Sequence, residues 1–295
     1  MENKDYPSLY QAADSATIDS QKKYIWLMGF DLLSMVISSL LALYNIENES
    51  FKIGIYIITG LLLLISLILT IILKTYKYED VWYQGRAVAE SVKTLTWRYI
   101  TNSANFEINL KSNEADDAFI NSIEQIQNEI QGIREHLDSN ILNLPVITDK
   151  MKAERVRPLN ERMSFYIKYR IQQQKEWYAS KAEYNSRKRH IWFLVILVSQ
   201  ALSIISVVYL IMFPLSKWNL VGLFTTISSA IIAWLQLKQH QELKQAYTTA
   251  TMELNIIESK VYNIHNDEDF SKFVLDSENA ISREHTLWLA QQRKY

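Results

Sequence analysis

Four blocks of apolar residues, each long enough to cross a bilayer, constrain this chain more than any other feature of its sequence. They lie at roughly 24–44, 53–73, 191–213 and 219–237. A bilayer core about 30 Å thick is crossed by about 20 apolar residues in a helix. The second and third blocks contain no Asp, Glu, Lys, Arg or His, so burial in a soluble core explains them poorly. We therefore predict four membrane-spanning helices arranged as two hairpins.

Positive charges around the hairpins predict their orientation. Lys and Arg cluster on the outer flanks of both hairpins, for example at 187–189, whereas the two loops inside the hairpins carry only Lys52 and Lys217. By the positive-inside rule, the N terminus, the central segment and the C terminus are expected on the cytoplasmic side. The predicted location is the inner (cytoplasmic) membrane, as a multi-pass protein.

The composition outside the blocks favours helices almost throughout. The 295 residues include only six Gly and four Pro, and no Cys. The fold is predicted as an all-α membrane protein: two tandem two-span hairpins with long cytoplasmic helices and a central coiled-coil-like segment. A net charge of −1 argues against direct nucleic-acid binding. The lack of Cys excludes disulfides and thiolate metal sites.

The chain reads as a tandem duplication. Residues 13–26 and 179–192 share six identities in fourteen positions, and apolar residues after the second and fourth blocks repeat with the same 4-3 spacing at an offset of 162. We expect each second span to continue unbroken into a cytoplasmic helix. The predicted divisions are a first two-span module, a connecting helix and linker, and a second two-span module with a C-terminal helix, at 1–105, 106–157 and 158–295.

A third apolar seam lies between the two halves. Ile dominates its 4-3 spacing, which favours coiled coils of more than two strands and therefore a homo-oligomer. The alternative is a helix that folds back on its own chain. The oligomerisation candidates are Phe119, Ile123, Ile126, Ile130, Ile133 and Leu137.

Polar side chains inside the predicted spans allow two interpretations. They could line an ion pathway in an oligomer, or they could let helices approach closely and bond to each other. A carboxylate at the bilayer centre costs about 2.5–3.5 kcal/mol, although Asp31 could also reach the headgroups. The candidates are Asp31, Ser34, Ser38, Ser199, Gln200, Ser203 and Ser206.

No pattern for catalysis is found. The sequence has no glycine-rich phosphate loop, no HExxH and no local nucleophile signature. Its five His residues are scattered without ligand spacing. We expect no catalytic residue, no metal and no cofactor, and predict that the protein is not an enzyme.

Several stretches resemble a known family. YKYEDVWYQGRAVAESVKTLTWRY at 76–99, after a two-span hairpin, is similar to the SLATT families, the SMODS and SLOG-associating two-transmembrane effector domains. RIQQQKEWYASKAEYN at 170–185 and SENAISREHTLWL at 277–289 resemble the subfamily called DUF4231. The matching positions are Gln174, Trp177, Tyr178, Ala182, Asn185, Glu278, Ile281, Glu284 and Trp288.

The resemblance implies a membrane effector of prokaryotic antiviral defence. Such an effector would form an oligomeric pore, or otherwise permeabilise the inner membrane, on a signal from a separately encoded sensor or a cyclic nucleotide. Its partners would be the lipid bilayer, further copies of itself and that signal. The main alternative is a membrane-anchored scaffold that conducts nothing. An ion-transport subunit is a third, less favoured possibility.

Overall fold

The part of the chain that the structure describes is mostly helical and contains no strand. The computed structural model describes residues 1–43, 49–130 and 132–292, and side chains at 1–43, 50–130 and 132–282. The helices are α1 (Ser8–Leu41), α2 (Glu49–Tyr76), α3 (Tyr78–Ile100), α4 (Ser112–Glu129), α5 (Ser139–Leu142), α6 (Asp149–Arg155), α7 (Leu159–Tyr166), α8 (Gln173–Met212), α9 (Val221–Lys238), α10 (His240–Glu258) and α11 (Asp267–Gln292).

Four of these helices, α1, α2, α8 and α9, are long and apolar enough to cross a membrane. Their bulky apolar side chains, such as Leu63 and Ile204, are exposed, whereas small polar ones such as Ser66 and Ser203 are buried. A soluble protein shows the opposite arrangement, so the exposed surface suits lipid. The prediction of an all-α, multi-pass membrane protein is confirmed. Helix α1 ends at Leu41; residue 44, the predicted end of the first span, lies outside the described residues.

The chain forms two compact units. Unit 2 comprises residues 22–78 and 184–242 and therefore holds the four apolar spans. Unit 1 comprises residues 1–21, 79–183 and the chain from Leu243 onward. Each unit draws on both halves of the sequence.

The core of unit 1 is rich in aromatic rings. The rings of Tyr99 on α3 and Phe119 on α4 have centroids 4.9 Å apart, and Trp97 meets Tyr166 on α7 edge-on at 5.6 Å. All four side chains are buried. The apolar seams predicted on α3 and α10 also lie in this core, with Val92 and Leu254 as examples. The seams therefore supply the faces by which unit 1 packs.

The central apolar segment belongs to the same core. Phe119, Ile123, Ile130 and Ile133 are buried, and Ile126 and Leu137 pack against them half-buried. Helix α4 ends at Glu129. The 4-3 spacing predicts a longer helix, because it continues to Leu137. Within one copy the segment folds back on its own chain, as the second interpretation described.

Each second span was expected to continue unbroken into a cytoplasmic helix, and this prediction is wrong, because one residue interrupts the helix in each half. Lys77 separates α2 from α3 and Gln239 separates α9 from α10; both have left-handed backbones with φ of 47°. The two breaks are 162 positions apart, the offset of the apolar repeat. A left-handed residue breaks the helical hydrogen-bond ladder without Gly or Pro, so no residue type in the sequence signals either break. The duplication is thus also present in backbone geometry.

A π-helical turn, Ile167–Gln172, joins α7 to α8. From Pro158 onward the sequence predicts an uninterrupted helix. The structure keeps the chain helical but widens this one turn. Such turns are rare in proteins, and many of the known ones lie at functional sites. Its fourth residue is Arg170, which is fully buried.

Candidate functional site

The polar residues predicted inside the spans lie mostly in the interior of unit 2. On α1 and α8 every predicted Asp and Ser is buried, and only Gln200 is exposed. The buried interior also includes Ser66 on α2 and Ser228 on α9, which are not among the predicted residues. The buried set is Asp31, Ser34, Ser38, Ser199, Ser203 and Ser206, together with Ser66 and Ser228.

Asp31 has a specific partner. The Ser66 hydroxyl on α2 donates a hydrogen bond to Oδ1 of Asp31, and the Ser34 hydroxyl donates to the Asp31 carbonyl oxygen at 2.7 Å. Only 7% of Asp31 is exposed. A hydrogen bond to a charged group contributes about 1.5–3 kcal/mol, which offsets part of the cost of placing a carboxylate in a span. The contact joins the two helices of the first hairpin.

Two further serine hydroxyls bond to their own helices, whereas the Ser38 hydroxyl has no hydrogen-bond partner in the described part of the chain. Ser206 donates to the Leu202 carbonyl at 2.7 Å, and Ser228 donates to the Phe224 carbonyl at 3.0 Å. Such back-bonding satisfies a hydroxyl without water. Small side chains that satisfy themselves allow close packing of helices in lipid. In one copy, this geometry agrees with the packing interpretation.

Unit 1 contains a buried charged cluster around Glu278 on α11. Arg170 donates from Nε to Oε1 at 2.9 Å and from Nη2 to Oε2 at 2.7 Å. The hydroxyls of Tyr166 and Thr94 donate to Oε1 and Oε2, each at 2.9 Å. Glu278 is 0% exposed and Arg170 is 1% exposed. Four donors therefore occupy the acceptor positions of one carboxylate.

Burial and charge act against each other at this cluster. Burial by itself lowers the pKa of the Arg170 guanidinium, but the Glu278 carboxylate raises it, and the net pKa lies above its ordinary value. Burial first, and Glu278 second, raise the pKa of the Tyr166 hydroxyl, which stays neutral. Arg170 therefore remains charged and Tyr166 remains a donor. The cluster can clamp α3, the π-helical turn and α11 together, and it offers no free nucleophile or base.

The two family-like motifs meet in unit 1 through the Arg170–Glu278 ion pair. The Trp177 ring contacts the Tyr247 ring at 5.3 Å and is 38% exposed, whereas Tyr178 beside it is buried. Gln174 is half-buried and Ile281 is buried. The side chains of Glu284 and Trp288 lie outside the described residues.

Asn185, the last residue of the first motif, lies in unit 2 and has its partner there. The Nδ1 atom of His240 lies 2.7 Å from Oδ1 of Asn185, and both residues are buried. Because that amide oxygen only accepts, the imidazole donates the hydrogen. The interaction fixes the first turn of α10 against α8.

Sequence reasoning named Glu278 but missed Thr94, Tyr166 and Arg170 as its partners. One signal was present: Arg170 follows Tyr166 and precedes Ile171 on an otherwise apolar face, and Glu278 falls between Val274 and Ile281. A single charge on each of two buried faces indicates a paired charge. The 4-3 spacing identifies the buried face of each helix, but it does not show which two faces pack together.

Comparison with protein families shows the family to which the chain belongs. Residues 7–163 match the SMODS and SLOG-associating 2TM effector domain 3, and residues 166–288 match the SMODS and SLOG-associating 2TM effector domain 1. The chain belongs to the SLATT family. Neither a curated protein nor a solved structure matches it.

The two SLATT domains account for the architecture. Helices α1 and α2 fall in the first match, and α8 and α9 fall in the second, so each domain supplies two spans. The family resemblance is confirmed, and the protein is a membrane effector in the general sense of its family. The closer resemblance to DUF4231 stays a prediction. The Thr94–Glu278 hydrogen bond links the two SLATT domains.

Proposed function

We propose that this SLATT protein permeabilises the inner membrane during antiviral defence, as a homo-oligomer and without catalysing a reaction. The observation that supports this most is the row of buried Ser and Asp side chains in unit 2, enclosed by exposed apolar ones. A polar interior within lipid is unusual, and ionisable residues there are costly and often functional. The trigger in this proposal is a separately encoded sensor or a cyclic nucleotide.

The proposal needs more than one copy. The four spans of one copy are too few to enclose a wide water-filled channel, so the polar faces of several copies would have to turn toward a shared lumen. Among the polar side chains described in the spans, Ser66 and Asp31 bond between two spans, while Ser206 and Ser228 bond to their own helices.

A flux measurement tests this proposal. The protein would be reconstituted in liposomes and expressed in cells that carry a potential-sensitive dye, with phage infection of its native host as the trigger. Ser203→Leu should reduce ion flux and depolarisation because it places a bulky apolar group on the polar row. Ile204→Leu is the matched control, since Ile204 is exposed. No flux at any expression level or during infection would overturn the proposal.

The proposed orientation is tested separately. The chain has no Cys, so single-Cys variants can be labelled with an impermeant maleimide. Glu124→Cys on α4 should react only after the membrane is opened, whereas Leu215→Cys, in the exposed connection between α8 and α9, should react from outside intact cells. The reverse result would contradict cytoplasmic termini.

A membrane-anchored scaffold is the second candidate. The hydroxyls of Ser206 and Ser228 favour it, because they bond to their own helices and need no lumen. A scaffold would leave the membrane potential of expressing cells unchanged, and Ser203→Leu would have the same protective effect against phage as the wild type. The flux measurement above therefore also separates these two functions.

A further inference from the structure

Unit 1 contains a cavity that is separate from the polar row of unit 2. Its volume is about 460 Å³, and its walls come from α1, α3 and the segment from the π-helical turn into α8. Small-molecule sites usually measure roughly 300–1,000 Å³. The cavity therefore has the size of a binding site for a small metabolite.

Arg170 and Lys93, which both lie in the walls, have unused hydrogen-bonding capacity. Arg170 uses Nε and Nη2 for Glu278, but its Nη1 atom has no hydrogen-bond partner in the described part of the chain. Lys93 on α3 is half-buried and makes no ion pair or hydrogen bond within residues 1–43, 49–130 and 132–292; burial lowers the pKa of its ammonium more than the nearby Glu90 charge raises it. Buried charges without partners are costly to the folded state. An anionic group bound between them would remove that cost.

Aromatic rings form much of the remaining wall. Trp82 on α3 and Trp177 on α8 line the cavity, as do Tyr10 and Tyr178. Trp177 is 38% exposed, although its neighbours in the core are buried. Flat rings beside cations suit a ligand that combines a planar ring with a negative charge, because rings stack and cations pair with anions.

The cavity also contains carboxylates, which restrict the ligand further. Asp14 accepts a hydrogen bond from the Asn3 amide at 3.0 Å, and Glu90 lies in the same wall. A purely anionic ligand would be repelled by both. A ligand that carries amino or hydroxyl groups as well can donate hydrogen bonds to them.

We propose that this cavity binds a nucleotide, with its negatively charged phosphate at Lys93 and Arg170 and its base among the aromatic rings. This inference rests on the proposed function in one respect, since it names the site at which a nucleotide signal would act. Arg170 would connect the cavity to α11, because its other two nitrogens hold Glu278.

Binding is tested on the full-length protein in detergent by calorimetry. The probes are AMP, GMP, 3′,5′-cyclic AMP and cyclic di-AMP, with adenosine and inorganic phosphate as the separate halves. At least one nucleotide should bind about tenfold more tightly than either half. No binding by any of the four, or equal binding by adenosine or phosphate alone, would overturn the proposal.

Lys93→Met is the decisive variant because it separates binding from folding. It removes an unpaired ammonium that burial disfavours, so the unfolding temperature should stay the same or rise while nucleotide affinity falls about tenfold. Trp177→Ala should also weaken binding. Lys272→Met, which changes an exposed lysine outside the cavity, should alter neither property. Unchanged affinity in Lys93→Met would refute the assignment.

The two proposals fail independently. Nucleotide binding without ion flux would leave the site in place and overturn permeabilisation. Ion flux without nucleotide binding would support permeabilisation and overturn the nucleotide site.

Discussion

Arg170 and Glu278 lie 108 positions apart in the sequence and form a buried ion pair with two parallel hydrogen bonds. The arginine sits in the only π-helical turn of the described chain, and the glutamate lies in the centre of α11. Thr94 on α3 donates to the same carboxylate. The pair therefore connects three separate segments of unit 1 at one carboxyl group.

Glu278→Ala is expected to destabilise unit 1 strongly. It leaves the Arg170 guanidinium buried without its counter-charge, and breaking a buried pair in this way costs about 3–5 kcal/mol. The free energy of unfolding would be measured by denaturant titration in detergent. Glu124→Ala on the exposed face of α4 is the control. A loss no greater than that of the control would contradict the buried pair.

Replacing both members should cost less than replacing one. In the double variant Arg170→Met with Glu278→Met, neither charge of the pair remains, and apolar side chains of similar length fill the space. Buried pairs replaced in this way are often close to neutral in stability. The double variant should thus unfold at higher denaturant concentration than Glu278→Ala.

Gly85 on α3 is expected to tolerate no side chain. A Cβ atom there would lie 2.5 Å from the Thr17 hydroxyl and 3.3 Å from the Ala13 carbonyl oxygen, both on α1. Gly85→Ala should lower stability by about 1–3 kcal/mol through overpacking. Gly60→Ala provides the control, because a Cβ atom at that position would meet nothing within 4 Å; it should be neutral or stabilising by about 0.5–1 kcal/mol. Thermal unfolding of both variants measures the difference.

The helix breaks give a prediction about backbone conformation. A left-handed residue other than Gly costs about 1–2 kcal/mol, so Lys77→Gly and Gln239→Gly should leave stability unchanged or increase it. Lys74→Gly, within the last turn of α2, should instead lose about 0.5–1 kcal/mol. If Lys77→Gly is as harmful as Lys74→Gly, the break at Lys77 is not present in the folded protein.

The elements that sequence predicted well are those fixed by local spacing. Four spans follow from the length of apolar blocks, and the buried seams of α3 and α10 follow from 4-3 repeats, because a helix exposes the same face every three or four residues. The central segment shows the limit of this reasoning. Its spacing identified Phe119 and Ile133 as buried, but spacing cannot tell whether the same chain or a second copy covers them.

The elements that were missed depend on contacts between distant residues. Thr94 and Glu278 are 184 positions apart, and no local pattern connects them. The breaks at Lys77 and Gln239 use residue types that rarely adopt left-handed backbones, so only their recurrence at the repeat offset identifies them as a shared feature. The cavity around Lys93 likewise combines segments from three parts of the chain.

His240 is expected to make unit 2 less stable in mild acid. Burial, together with the charges of Lys238 and Lys188, lowers the pKa of its imidazole below the ordinary value of 6.5. Between the two pKa values the unfolded chain binds more protons than the folded one, so the free energy of unfolding falls as pH drops below about 6.5 and levels off below the folded pKa. His240→Gln should remove this part of the pH dependence, because glutamine does not titrate.

Unfolding temperatures measured from pH 8 to pH 5 provide the test. The wild type should lose stability over the acidic part of this range, and His240→Gln should lose less. His265→Gln is the control, because His265 is exposed and lies outside unit 2. Asn185→Ala should lower stability at every pH because it removes the acceptor of the 2.7 Å hydrogen bond. Equal slopes for the wild type and His240→Gln would show that the imidazole is not held neutral by its surroundings.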